Sequence, residues 1–316
     1  MDSLNRAFSC LQVSGSDGRA VLNTKLKKNR VSIGLSETDS PDYLIVGHVA
    51  KDKGPQGVLL GGTCSYSGLT AQRLGQRTAA VTSYGPDIPS LALLAGVQIE
   101  NVPCQFSTIF ENIYGAGHRR QKWSATAAML LAEHVPPVWR RAPIVHLAPI
   151  AQEISPAMCG RFKDSLLCVT AQGWLRGQDA DGNVICRQHP ELEAWLPKID
   201  VLVFSRSDLF DRRSDLVPLL TSAGLVVETL GPQGCNVYHK GRVTLVSVKP
   251  EVEVDPTGAG DIFAAAFFVR YHEGSDAIEA ARFANACASL SVRETGLKSV
   301  PGRPAVEAHQ AALYGC

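Results

Sequence analysis

The chain has 316 residues, 45% hydrophobic and 19% charged, with a formal net charge of +1. That composition suits a globular protein with room for one large α/β domain or two small ones, and offers no charge field for steering toward nucleic acid or a membrane. No apolar run approaches the ~20 residues of a bilayer span and no signal-peptide core opens the chain. Nine scattered cysteines without a CxxC pair argue against a disulfide framework or zinc site, and for a reducing, cytoplasmic compartment.

Residues 1–40 mix Ser, Asn, Lys and Arg without periodicity and read as a flexible tail. Asp2, Asp17, Glu37 and Asp39 count against an organelle transit peptide, although the tail alone leaves targeting open. Order is expected from Asp42. YLIVGHVAKD at 43–52 reads as a buried strand ending at Gly47, followed by a loop carrying Asp52. A short strand at 58–60, a Gly61-Gly62 turn and a helix from Thr63 follow, then a second core strand at 78–85. Two stretches come next, 97–104 and 107–125; the second predicts a hairpin too polar on both faces for a central strand. Its Arg119, Arg120 and Lys122 suit a solvated face as well as a ligand.

From 143 strands and helices alternate. Strands are expected at 143–149, 166–173 and 200–208 and a strand and turn at 224–234, with helical segments at 155–163, 191–197 and 211–223. A hairpin turning at Lys240-Gly241 spans 236–248. This rhythm predicts an α/β fold, a mostly parallel sheet with helices on both faces. Ligands of such sheets sit outside the C-terminal strand ends, where Asp52, Gln172, Ser205, Asp208, Thr229 and Asp261 are placed by the same reading.

The stretch 251–272, EVEVDPTGAGDIFAAAFFVRYH, organises the rest. Alternation over 251–254 reads as a strand end, Pro256 stops its pairing, and Gly258, Ala259 and Gly260 let a ligand approach the backbone. Asp261 stands just before the apolar run 262–269, a helix. A helix start attracts phosphate through its unpaired N–H groups, and an acid there can take a hydroxyl proton. An isolated GAGD equally suits a turn with a helix cap.

The whole string DPTGAGD, with a small-residue helix after it, closely resembles the C-terminal signature of the PfkB (ribokinase-like) sugar kinases, and ordered motifs extend the resemblance over about 42–310. It implies a three-layer ribokinase-like domain over 41–316 with a small β lid formed by about 53–62 and 97–124. It also implies ATP-dependent phosphorylation of a hydroxyl, with Asp261 as general base and Gly258, Ala259 and Gly260 as anion hole. Asp52, Gly61, Gly62, Glu111, Asn112 and Gln172 would meet the acceptor. Ser205, Thr229, Gly231, Gly234, Thr257 and Asn285 would border the nucleotide, the loop TLGPQG at 229–234 resembling the family's phosphate loop. Mg²⁺ would accompany ATP, with K⁺ a further candidate.

Two places depart from the family pattern. Its NxxE motif, which places magnesium through water, is here Ser205-Arg206-Ser207-Asp208, so only Asp208 keeps a carboxylate for the metal. The loop AQGWLRG puts Gln172, Trp174 and Arg176 where small residues are usual. TIFENIY, CNVYHKG and VDPTGAGD are most similar to plant-type myo-inositol kinases. The acceptor is therefore expected to be a small sugar or cyclitol such as myo-inositol, the alternatives being a nucleoside or a non-catalytic sensor on the same fold. The expected assembly is a monomer or a lid-mediated homodimer. No GxxxxGK[ST] or opening GxGxxG is present, which argues against P-loop and dinucleotide chemistry.

Overall fold

A computed structural model describes residues 39–54, 57–115, 118–274 and 276–315. The expected tail lies outside them apart from Asp39 and Ser40, and so does the side chain of Arg120. The first strand, β1 (Tyr43–Val46), is wholly buried. It stops at Gly47, where a Cβ would come within 2.4 Å of the Ala148 carbonyl oxygen. The chain then re-forms as β2 (Ala50–Gly54) and β3 (Gly57–Gly61), an antiparallel pair, before α1 (Thr63–Arg73) and β4 (Thr78–Tyr84). Asp52 consequently sits within a lid strand, not on a loop at the end of a core strand.

After β5 (Val97–Pro103), the hairpin β6 (Thr108–Gly115) and β7 (His118–Ala125) completes the lid, in strand order β3-β2-β6-β7. The expected lid segment 97–103 is not part of it. β5 pairs in parallel with β4, Thr78 opposite Val97 through Tyr84 opposite Pro103, and closes one edge of the main sheet. Its polarity has the physical reason usual for an edge strand, one side left to solvent.

The main sheet continues through β8 (Ile144–Leu147) and β9 (Leu166–Thr170). Next comes a small hairpin, β10 (Arg176–Gln178) and β11 (Val184–Cys186), which periodicity did not signal. Its turn is held by Asp179, whose carboxylate accepts from the N–H groups of Asp181 and Asn183. Then follow α2 (Leu192–Trp195), β12 (Val201–Ser205), α3 (Arg213–Leu220), β13 (Leu225–Thr229), β14 (Cys235–His239), β15 (Arg242–Val246), α4 (Ala259–His272), α5 (Ala277–Ser291) and α6 (Arg303–Tyr314). The nine strands run in the order β15-β14-β13-β12-β9-β8-β1-β4-β5, antiparallel only at β13-β14-β15. The segment 155–163 is a 3₁₀ turn, Pro156–Arg161, started by Ser155, whose hydroxyl accepts from the Ala157 N–H.

Helices cover both faces, which is why the central strands read as unbroken apolar runs. One face packs Tyr43, Ile45 and Val203 against α1, α4 and α5; the other packs Val145, Leu167 and Phe204 against Trp139, Trp174, Leu196 and Leu216. Trp174, unusual in sequence, is a core anchor whose indole N–H donates to the Ile154 carbonyl. α4 is buried all round from Ile262 to Val269 because it lies between the sheet and its helical neighbours.

A buried polar knot fixes the lid's root. The Glu153 carboxylate accepts from the N–H groups of His48, Ile150 and Ala151, while the His48 ring bridges the Ala128 carbonyl and the Thr108 hydroxyl. A neutral imidazole protonated on Nε2 satisfies both ring contacts. The knot ties the start of β6 to the loop after β8, so the lid is seated on the sheet rather than hung from it.

Candidate active site

A cavity of about 360 Å³ opens at the C-terminal ends of the parallel strands, between the lid, the sheet and the start of α4. The segment predicted to organise the chain forms its floor, with two differences. Glu251 to Val254 makes no strand; Val252 and Val254 are 84% and 63% exposed, so the alternation serves no core. Here the chain is held instead by the Val254 and Asp255 N–H groups donating to the Val292 carbonyl. Asp261 also lies inside the helix, as its third residue, and Gly258 is the residue at the cap.

Gly258 takes φ 81°, ψ −6°, a left-handed conformation open to glycine. Its turn is braced by the Asp255 carboxylate, which accepts from the Thr257 N–H at 3.0 Å. The Ala259 N–H donates to the Pro256 carbonyl, whereas those of Gly260 and Asp261 have no hydrogen-bond partner among the described residues. They are the orphan donors of a helix start, suited to an anion. The anion hole is thus narrower than expected, since the Ala259 amide is already engaged.

The Asp261 carboxylate accepts from the Thr63 hydroxyl at 2.7 Å, and its main-chain carbonyl accepts from the Ser67 hydroxyl at 2.8 Å. Both hydroxyls come from α1, so the Gly61-Gly62 turn and the acid are aligned by one pair of helices. Burial pushes the Asp261 carboxyl up to about 7; Asp208 and Asp52 push the same way, against the Thr63 bond and the Arg176 charge. Tyr66 packs beside it, its phenol raised by burial and by Asp52, Asp255 and Asp261.

On the acceptor side the cavity is lined by Asp52, Gly62, Thr63, Phe110, Gln121, Ile150, Gln172 and Arg176. Gly61 lies behind the Asp52 carboxylate, which a Cβ there would strike at 1.9 Å. Gly62 has φ 85° and its Cβ would meet the His48 carbonyl oxygen at 2.6 Å, so the pair is a close backbone crossing. Two expected acceptor contacts are placed otherwise. Glu111 is exposed on the lid and does not line the cavity. Asn112 is 9% exposed and stands one step back, its side-chain oxygen accepting from Gln121 Nε2 at 3.1 Å. Alternation explains the swap: in β6 one side chain faces outward and the next faces in.

On the donor side lie Ser205, Ser207, Thr229, Gly231 and Gly234, with Thr257 at the turn. Gly234, at φ 94°, passes so close to β15 that a Cβ would lie 2.1 Å from the Val246 carbonyl oxygen. Asn285 borders the same end, its Nδ2 donating to that carbonyl at 3.0 Å. The far wall, Val248 to Pro250 with Ala288 and Val292, carries no sequence motif.

Asp208 does not fit a directly ligated metal ion. It is 3% exposed and stands outside the cavity lining. Its Oδ1 accepts from Arg176 Nη2 at 2.9 Å and Gln172 Nε2 at 3.3 Å, and its Oδ2 from the Ser205 N–H at 3.0 Å. Among the described residues no cluster of three or more His, Cys, Asp or Glu could hold a metal.

A twisted parallel sheet, a four-stranded lid and a cavity shared by an acid and a glycine-rich helix start define a ribokinase-like fold. Solved structures agree. A pyrophosphate-dependent myo-inositol kinase superposes with a TM-score of 0.72 at 19% identity, covering 85% of this chain and 98% of that one. A ribokinase from Arabidopsis thaliana, complexed with ribose and ATP, does so at 0.66 and 21% identity, over 86% and 99%. A nucleoside kinase from Methanothermobacter thermautotrophicus is 28% identical over 258 residues, 76% of this chain and 81% of its own. Residues 167–303 match the pfkB family carbohydrate kinase model. Residues 167–303 thus resemble a pfkB family carbohydrate kinase, and the kinase relatives support a phosphotransferase with a hydroxyl acceptor.

Proposed function

We propose that the protein phosphorylates a hydroxyl of a small cyclitol or sugar with ATP, myo-inositol being the first acceptor to test. One observation carries this reading: Asp261 shares a cavity with Asp52 and Gly62 on one side and with the glycine-rich donor end on the other. Asp261 takes the proton of the acceptor hydroxyl as the hydroxyl oxygen attacks the γ-phosphorus in line, and the bond from that phosphorus to the bridging oxygen breaks to release ADP. The Gly260 and Asp261 N–H groups meet charge on the transferring group. Asp52, Gln121 and Gln172 orient the acceptor, and Phe110 and the lid exclude water. Magnesium belongs to the proposal only as the counter-ion of the nucleotide, and no step is assigned to it. Val58, Leu59 and Ile113, exposed on the lid, support a lid-mediated homodimer.

A second reading has its own observation. Phe110, against Trp123 at 6.0 Å between ring centroids, gives the acceptor end an aromatic wall suited to a nucleobase, and one relative is a nucleoside kinase. ADP release with myo-inositol, ribose, fructose and cytidine separates the two. Turnover of myo-inositol at least tenfold above cytidine is expected; the reverse order assigns the nucleoside. Binding across the panel without ADP release makes the protein a sensor.

The acid itself predicts a pH dependence. Asp261 must be deprotonated to act, and its carboxyl sits at about 7. The rate should therefore climb tenfold per pH unit below that value and level off above it. A profile already flat from pH 5 to 8 would show that a group at 7 does not limit the reaction.

A further inference from the structure

The proposed reaction brings phosphoryl charge into a cavity already crowded with acids. Asp52 and Asp261 line it, Glu251 and Glu253 stand at its donor end, and Asp208 lies just behind. Among the described residues that line it, only Arg176 and Lys249 are cationic. Lys249 belongs to the donor end, between Val248 and Pro250, whereas Arg176 is set between the lid, Gln172 and the charge of Asp261.

Arg176 is also held unusually firmly. Its side chain is 15% exposed and the guanidinium forks between two elements: Nη2 donates to Asp208 Oδ1 at 2.9 Å, and Nη1 donates to Gln121 Oε1 at 3.1 Å. Gln121 in turn donates to Asn112. One polar chain therefore runs from lid strand β6 through β7 and β10 to the turn after β12. Guanidinium carries five N–H donors, so these two bonds leave others to face the cavity. A planar cation fixed by a buried carboxylate is pre-organised for a phosphoryl group, and no reorganisation is needed when charge arrives.

We propose that Arg176 is a catalytic residue contacting the phosphoryl group in transfer, and that Asp208 is its positioning residue rather than a magnesium ligand. The inference rests on the kinase reading above and adds to it the counter-charge that the acidic cavity lacks. The lid end of the fork, Gln121, makes the clamp complete only when the lid is seated.

The test compares wild type with Arg176→Met, Arg176→Lys, Asp208→Asn and the double variant Arg176→Met/Asp208→Asn, all full length. Steady-state kinetics use the acceptor found active above, and nucleotide affinity is read by calorimetry. Arg176→Met should lower kcat about 10²–10³-fold while the ATP Kd moves less than threefold, and Arg176→Lys should recover part of the loss. The acid limb of the rate profile should move to higher pH in Arg176→Met, because the cation that lowers the Asp261 carboxyl is gone. The double variant should be no slower than Arg176→Met, as expected when one residue acts through the other. The Mg²⁺ concentration for half-maximal rate should stay within threefold in Asp208→Asn. Near-native kcat in Arg176→Met, or a tenfold rise in that Mg²⁺ requirement in Asp208→Asn, overturns the proposal. A wild type inert toward every acceptor overturns the kinase reading itself, a distinct failure.

Discussion

Asp261→Asn is expected to abolish phosphoryl transfer while leaving the fold and nucleotide binding intact. Asparagine keeps the shape and can still accept from the Thr63 hydroxyl, and the Ser67 bond goes to the main chain, which the substitution does not touch. What disappears is the carboxylate proposed to receive the acceptor's proton, beside the orphan N–H groups. Loss of a base of this kind lowers rate by about 10²–10⁴-fold. Stability should move the other way. The folded carboxyl is raised from 3.8 to about 7, so between those values the folded state keeps a proton that the unfolded state has released. Wild-type stability therefore falls as pH climbs through that window, and the deficit is complete above about 7. Removing the acid removes the deficit. Thermal melts should show the variant matching wild type near pH 4 and exceeding it at pH 8. Turnover in Asp261→Asn within tenfold of wild type would end the mechanism.

The parts of this site that could be read from sequence are those written contiguously. GAGD places three small residues and an acid within one turn, so their proximity needs no knowledge of the fold. Strand ends such as Ser205 and Thr229 were legible because a parallel sheet puts successive C-termini on one edge. The lid was harder. β2 starts four residues after β1 ends, and the apolar-to-polar change across Gly47 looks like a strand running into a loop. β5 was assigned to the lid because an edge strand and a lid strand are equally half-polar; only pairing with β4 distinguishes them. Alternation at 251–254 misled because period two says nothing about whether a partner exists. The Arg176–Asp208 pair was invisible for a different reason. Its members are 32 positions apart and lie beyond two separate strands, and a carboxylate that looks available for a metal in sequence is spoken for in space.

Gly258→Ala should be the most damaging single methyl in the floor of the cavity. The added Cβ would lie 2.4 Å from two ring carbons of Tyr66, a side chain 2% exposed and locked within α1. The ring is packed into the core on one side and borders the cavity on the other, and the backbone is fixed by the Asp255 brace on one side and α4 on the other. Left-handed backbone in a non-glycine residue adds roughly 1–2 kcal/mol, and overpacking of this kind roughly 1–3 kcal/mol. Together they predict a loss of about 2–5 kcal/mol, which calorimetry would register as a melting point lower by about 3–9 °C. Gly260→Ala, two residues on, is the control. Its Cβ meets nothing within 4 Å and its φ is not positive, so alanine in the helix should leave Tm within about 2 °C of wild type. Because that open space is the cavity, the methyl should still cut kcat/KM by about tenfold or more through misplacement of the bound groups. Stability lost at 258 and activity lost at 260 would separate the two duties of one turn, bracing α4 against α1 and presenting N–H groups to an anion. Equal, small effects at both positions would mean that the turn does not seat Tyr66, and that Asp261 owes its alignment to Thr63 and Ser67 alone.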